Sequence, residues 1–325
     1  MTDDMHFTID HNTNNNQEDW DHFIQDSDNG TLFHERKFLN YHPPDRFLDH
    51  SLIFKNKNKI IALFPATVKS NREEINLISH SGASYGGFVY KDISIHNAFY
   101  LVEDLLDYAR GNNFKRIIIT IPPIIYCNRL NNHIEFALIH NGFQYLKREL
   151  TSVIKLNNTM KEVLALYKNE ARTAINKAQR MGLKIKISSD YDAFYSILIP
   201  NLELHGNLSP THNVKEIKKL VELFPDKIFL FGAFLGEKMI AGIIIFICNS
   251  RVALAFYISD KKEYQLYRPV NLLVYQIMQW ALERNFSYID LGTISINMKL
   301  NWGLGKFKET FGARAIFRDT FEIIL

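Results

Sequence analysis

A pattern repeated at constant spacing over a helix, its exit turn and the next strand restricts a chain to folds built from two copies of one unit. This sequence has such a pattern. Leu101, Leu105, Tyr108 and Ala109 recur at i, i+4, i+7 and i+8, and Leu273, Ile277, Trp280 and Ala281 repeat the series further along. That spacing puts one apolar stripe on each of two helices. The same offset aligns Asn113-Phe114 with Asn285-Phe286 and Ile117 with Ile289, so helix, turn and strand match without a gap. Upstream, Ala83 and Tyr85 fall opposite Ala255 and Tyr257. Farther back, each half has two apolar runs around a tight polar turn, 51–54 with 59–62 and 228–231 with 238–241, at a slightly different offset. These read as hairpins whose loops differ in length. Each half ends in a short helix and a strand, 133–140 then 143–156, and 304–311 then 314–325. The order predicts an α/β chain with mixed sheets, made of two tandem domains from an internal duplication, 1–157 and 158–325.

Composition agrees with two cores. The chain has 325 residues, 46% of them apolar, and one core stops growing below that length. Its 38 basic and 35 acidic residues leave +3, too even a balance for a dedicated nucleic-acid binder, so any RNA contact is expected to be local. Cys127 and Cys248 stand far apart, which argues against a disulfide framework or a metal site and for a reducing compartment. The segment 1–16 is acidic and Asn-rich, without the basic and apolar stretches of an export signal, so a cytoplasmic location is expected. The longest apolar run, 239–248, is too short to cross a bilayer and reads as a buried strand.

Between the halves lies a basic helical segment. Thr159 with Glu162 forms a capping box and Gly182 supplies a stop. Lys168, Arg172, Asn176 and Arg180 follow at i+4 steps, opposite Ala171, Ala174, Ile175 and Ala178. The cationic stripe is either a solvated helix face or a site for an anionic ligand.

Three stretches carry a family resemblance: Ser84-Tyr-Gly-Gly-Phe-Val-Tyr, the linker-helix stretch from Arg172 to Ile185, and Tyr288-Ile-Asp-Leu-Gly-Thr followed by Gly303-Leu-Gly-Lys-Phe-Lys-Glu-Thr-Phe-Gly. The element order resembles the Gcn-related N-acetyltransferase (GNAT) fold. Its doubling resembles the Fem family of aminoacyl-tRNA-dependent peptidoglycan transferases and the BioF2-like acetyltransferases. The resemblance implies an acyl donor, acyl-CoA or aminoacyl-tRNA, held by the second half. It implies an amine acceptor near the first half, a small molecule or nucleotide sugar used for a bacterial cell-surface polymer, and no metal. Two family features are missing: the long coiled-coil arm, and the Arg-x-x-Gly-x-Gly/Ala loop that cradles a pyrophosphate, where this chain has Tyr264-Gln-Leu-Tyr-Arg-Pro-Val-Asn.

Acyl transfer needs a polarised carbonyl and a deprotonated amine. Lys308 resembles the family position whose cation stabilises the developing oxyanion, with Lys306 as its rival. Asp290 puts a carboxylate where the repeat has Ile118, a costly substitution in a buried strand unless the charge is paired, whether for catalysis or in an ion pair with Lys308 or Arg318. His205 has the near-neutral pKa of a base. Tyr257, Arg268 and Arg172 are donor-side candidates. The glycine-rich stretch 79–87 resembles the family's acceptor side, with His80, Tyr85, Gly86 and Gly87 as candidates and a β-bulge as the plain alternative; His34 and Arg46 are further acceptor candidates. A non-catalytic ligand-binding protein on the same scaffold is the competing function.

Overall fold

The computed structural model describes residues 6–12, 17–43, 45–70, 74–156, 159–204 and 208–325. They fall into two compact units, one running to Glu149 and regaining Phe317–Leu325, the other Leu150–Ile316. The first holds β1 (Thr8–His11), α1 (Gln17–Gln25), α2 (Arg36–Leu39), β2 (Leu48–Asp49), β3 (Leu52–Asn56), β4 (Lys59–Phe64), β5 (Ala66–Ser70), β6 (Ile75–Ser79), β7 (Val89–Tyr90), α3 (Ile95–Gly111), β8 (Arg116–Thr120), α4 (His133–His140) and the start of β9 (Gln144–Lys155). The second continues through α5 (Met160–Leu166), α6 (Asn169–Arg180), β10 (Lys184–Ser188), α7 (Tyr191–Leu204), α8 (Val214–Leu223), β11 (Ile228–Leu235), β12 (Lys238–Ile247), β13 (Val252–Asp260), α9 (Pro269–Glu283), β14 (Tyr288–Thr293), β15 (Ser295–Ile296), β16 (Lys299–Leu300), α10 (Trp302–Glu309) and the start of β17 (Arg314–Ile324).

Both units have mixed sheets. In the second the order is β10-β11-β12-β13-β14-β9, and only β13 and β14 run parallel. In the first, β2-β5-β6-β8 has one parallel pair, β6 with β8, and β1-β3-β4-β7 forms a separate antiparallel sheet. Pro65 divides β4 from β5, because proline offers no N–H to the ladder.

The repeated helices pack as their stripes require. Leu101, Leu105 and Ala109 of α3 bury against Leu77, Ile117 and Phe321, and Leu273, Ile277 and Ala281 of α9 bury against Ala253, Ile289 and Phe311. Asn113 and Asn285 both leave their helices at φ 59°, a left-handed cap that asparagine tolerates. The following amides, Phe114 N and Phe286 N, donate to Ala109 O and Ala281 O, each at 3.0 Å.

Two expectations are corrected. The parallel registers pair Leu77 with Ile117 and Ala253 with Ile289, so Leu77 is the counterpart of Ala253, and Ala83 and Tyr85 are not counterparts of Ala255 and Tyr257. Tyr85 sits in the turn between β6 and β7, whereas Tyr257 lies within β13. The first unit's longer strand-to-helix connection slides the alignment out of register. The closing strands are also exchanged: Thr151–Lys155 pair with β14, and Thr320–Ile324 pair with β8. A division at 157/158 leaves β17 in the second half, while its residues from Phe317 onward count with the first. Alternation in a sequence marks a strand without naming its partner, and these two strands cover edges that otherwise expose unpaired backbone.

Candidate active site

Asp290 is fully buried in β14. Its Oδ1 accepts hydrogen bonds from Thr151 Oγ1 at 2.5 Å and from Gly292 N at 2.8 Å. The cost of burying a carboxylate is thus met by a hydroxyl from β9 and an amide two residues on. Gly292 has φ +80°, a conformation that costs glycine little, and the chain turns there.

That turn presents two carbonyls to Lys308. The lysine belongs to α10 and is 3% exposed. Its Nζ donates to Gly292 O at 2.9 Å and to Thr293 O at 3.1 Å. Burial lowers its pKa to about 8, with the negative charge of Asp290 pulling the other way. An ammonium has three N–H bonds; the third has no partner among the described residues. A buried, positioned cation with a spare donor is suited to an oxygen that gains negative charge. Lys306, two residues earlier, is exposed, because two positions on a helix turn a side chain to the far face.

Tyr257 is nearly buried in β13, and its hydroxyl accepts from His212 N at 3.0 Å and contacts His212 Nδ1 at 3.1 Å. Burial raises the phenol to about 12. His212 itself is buried. Sequence reasoning passes over it for His205, seven residues earlier in the same segment, and His205 lies outside the described residues. The one sequence signal for His212 is a histidine beside a Pro-Thr turn.

Arg268 is exposed at the N-terminus of α9 with φ 58°. Left-handed backbone is strained for a residue with a side chain. Arg172 is exposed on α6 and donates to Leu164 O at 2.8 Å at the end of α5, and Arg180 Nε reaches Asn176 O. Two cations of the stripe therefore serve helix carbonyls, and the helical segment is a pair of helices, with the capping box of Thr159 and Glu162 formed.

In the first unit, Ser79 ends β6 and the residues 80–87 that follow are a run of turns after the strand rather than a bulge within it. Gly86 N donates to Thr120 O at 2.8 Å, and a Cβ on Gly86 would meet Ser79 Cβ at 2.8 Å. Gly87 has φ +80°. The ring of Tyr85 lies under Arg318, whose guanidinium donates to Ser84 O at 2.7 Å. His80 is 2% exposed and accepts from Gly82 N at 3.2 Å; His34 is fully buried, its Nδ1 bonded to Thr31. Burial lowers both imidazoles to about 4; Asp49 opposes this for His80, as the backbone of Gly86 does for His34. Arg46 lies over Phe47. Among the described residues no group of three or more His, Cys, Asp or Glu is placed to hold a metal, and no helix is long and apolar enough to cross a membrane. Cys127 and Cys248 are buried thiols, not joined in a disulfide.

Residues 166–302 match the family model of the acetyltransferase (GNAT) domain. Over 98% of its length the chain resembles the crystal structure of FemX, of which 97% is covered, with a TM-score of 0.75 at 13% identity. The chain has a tandem GNAT fold like that of FemX. A tandem GNAT protein from the clavulanic acid biosynthesis pathway aligns over 98% of both chains, with a TM-score of 0.57 at 10% identity. The L-PGS structure from Bacillus licheniformis aligns over 84% of this chain and 83% of its own, with a TM-score of 0.52 at 10% identity. No curated protein sequence matches. The GNAT domain match contains Asp290, Tyr257, Arg268 and Arg172 and stops short of Lys308.

Proposed function

We propose that the chain is a bacterial cytoplasmic N-acyltransferase that moves an acyl or aminoacyl group onto an amine of an amino sugar or peptide precursor of a cell-surface polysaccharide or peptidoglycan. The observation that carries this reading is Lys308: a buried ammonium fixed by two carbonyls, balanced by Asp290, with one N–H unspent. The amine nitrogen attacks the donor carbonyl, the C–N bond forms, and the oxygen's new charge is met by Lys308. The leaving group, a thiolate of coenzyme A or the ribose oxygen of a tRNA, departs as it takes a proton, and the amine's surplus proton passes to a base. His205 remains the candidate for that base. Tyr257, Arg268, Arg172 and Lys306 belong with the donor in this reading, and His80, Tyr85, Gly86 and Gly87 with the acceptor.

The GNAT domain match favours acyl-CoA as donor. The absence of glycine between Tyr264 and Asn271 favours an aminoacyl-tRNA, because without it backbone amides approach a pyrophosphate less closely. The test is transfer assayed by mass spectrometry from each donor class to an amino sugar and to a peptide amine, with the parent and with Lys308→Met. An interaction made only in the transition state lowers kcat and leaves KM near the parent. The expected loss is roughly a hundred- to a thousandfold, with the melting temperature preserved. Full turnover by Lys308→Met removes the lysine from the mechanism. No transfer by the parent from either donor supports the second reading, a ligand-binding protein, for which the missing glycine loop is the motivating feature.

A further inference from the structure

The end of the second unit's sheet opposite Lys308 holds a cavity of about 420 Å³, whose lining includes Lys155, Arg251, Asn285, Ser287 and Tyr288. This is within the range of roughly 300 to 1,000 Å³ common to small-molecule sites. Lys155 ends β9 opposite Tyr288 in register, and Arg251 lies in the turn before β13. Strand β14 begins at Tyr288 and carries Gly292 at its other end, roughly 13 Å away at the usual rise per residue, so this cavity is separate from the lysine site.

Its charge is uncompensated. No acidic residue lines it, and neither Lys155 Nζ nor the Arg251 guanidinium has a carboxylate partner among the described residues. Arg251 Nε is buried without a hydrogen bond, while the guanidinium lies over the Tyr288 ring at 5.8 Å. The same end of the first unit differs. There Arg116, at the start of β8, pairs with Glu322 of β17. This end of the sheet thus carries an ion pair in the first unit, whereas in the second Tyr288 stands where Arg116 does and the cations lining the cavity have no carboxylate partner among the described residues.

We propose that this cavity binds the phosphate of a nucleotide, either free or as one residue of an RNA strand. A planar guanidinium matches two phosphate oxygens, a lysine adds a point charge, and the amide of Asn285 and the hydroxyl of Ser287 supply directional polar contacts. The half-exposed Tyr288 ring gives a base or ribose an aromatic neighbour. The volume exceeds what a lone phosphate fills. The proposal does not rest on the acyl-transfer reading, and its test measures binding alone.

The full chain is titrated with inorganic phosphate, AMP and a short single-stranded RNA, with binding followed by calorimetry and by amide NMR shifts at residues 285–288. AMP is expected to bind saturably with shifts confined to those residues. Arg251→Gln should weaken it roughly tenfold to a hundredfold, the loss typical of a charged hydrogen bond. Lys155→Gln, at an exposed strand end, gives a smaller loss without a folding risk. Tighter binding of RNA than of AMP identifies the strand as the source, and the reverse identifies the free nucleotide. Inorganic phosphate binding as tightly as AMP overturns the nucleotide assignment. Absence of shifts at 285–288 with every probe, or parent-like binding by both variants, overturns the site.

Discussion

The two units share a strand–helix–strand core and place different chemistry at the end of it. Where β8 has Ile118, β14 has Asp290, and both side chains follow from the same parallel register. In the first unit Thr120 meets Thr320, hydroxyl to hydroxyl at 3.0 Å. In the second, Thr151 meets the Asp290 carboxylate, and α10 supplies Lys308 where α4 has no lysine. The helix-facing apolar positions kept their character in both copies, because any change there opens a cavity or overpacks a core. The carboxyl ends of the strands, where open α/β sheets bind ligands, had no such restraint. The first unit's buried polar groups lie elsewhere. Arg36 holds Asp49 through two nitrogens and also bonds Ser51 and Asn40, close to His80.

This contrast predicts pH responses of the same sign in two separate windows, and the acid side is the larger. His34 and His80 have folded pKa values near 4 against about 6.5 unfolded. Between those values the unfolded chain binds more protons, so stability falls as pH drops from about 6.5 to about 4. Each pH unit separating the folded from the unfolded pKa corresponds to about 1.36 kcal/mol, so each histidine contributes a loss of about 3 kcal/mol. Denaturant unfolding across that window, followed by hydrogen exchange, should show the first unit weakening ahead of the second. His80→Asn, which keeps an acceptor for Gly82 N, should roughly halve the slope. A first unit that keeps its protection at pH 4 breaks the contrast.

On the alkaline side the second unit responds. Lys308 has a folded pKa of about 8 against 10.5 unfolded. The penalty for burying its charge is fully present below 8 and is relieved as pH rises towards 10.5, because the folded lysine gives up its proton first. The stability of the parent relative to Lys308→Met should therefore climb by about 3 kcal/mol over that window. A flat difference means that Lys308 is better solvated than its surroundings suggest.

Periodicity made the helices, their caps and their strands legible, down to the asparagines at φ 59°. It also singled out Asp290, since a charge at a repeat position that is otherwise apolar is visible without a structure. Three features were hidden for physical reasons. Strand exchange leaves no local trace, because β9 and β17 alternate alike whichever edge they join. The register of Tyr257 depended on a connection whose length differs between the copies. The bond from Thr151 to Asp290 links residues distant in sequence, and a threonine in a strand is ordinary until its partner is known.

The smallest effect gives the sharpest comparison, because it sets the two threonine contacts side by side. Thr151→Val preserves shape and removes the hydroxyl from a buried carboxylate that retains Gly292 N as a donor. A hydrogen bond to a charged group contributes about 1.5 to 3 kcal/mol, against roughly 1 kcal/mol for a neutral pair. Thr320→Val removes only the neutral contact with Thr120, which keeps its backbone pairing to β17. Thr151→Val should thus cost about 2 kcal/mol and Thr320→Val about 1 kcal/mol or less, measured by denaturant midpoints at constant m-value. Thr151→Val should also disturb Lys308, because Asp290 holds Gly292 N and the Gly292 carbonyl holds Nζ. That second consequence separates a brace for the lysine from a local packing contact: the alkaline rise in stability should shift in Thr151→Val and stay unchanged in Thr320→Val. Equal costs and unshifted profiles in the two variants leave Asp290 and Ile118 as alternative ways of filling the same strand.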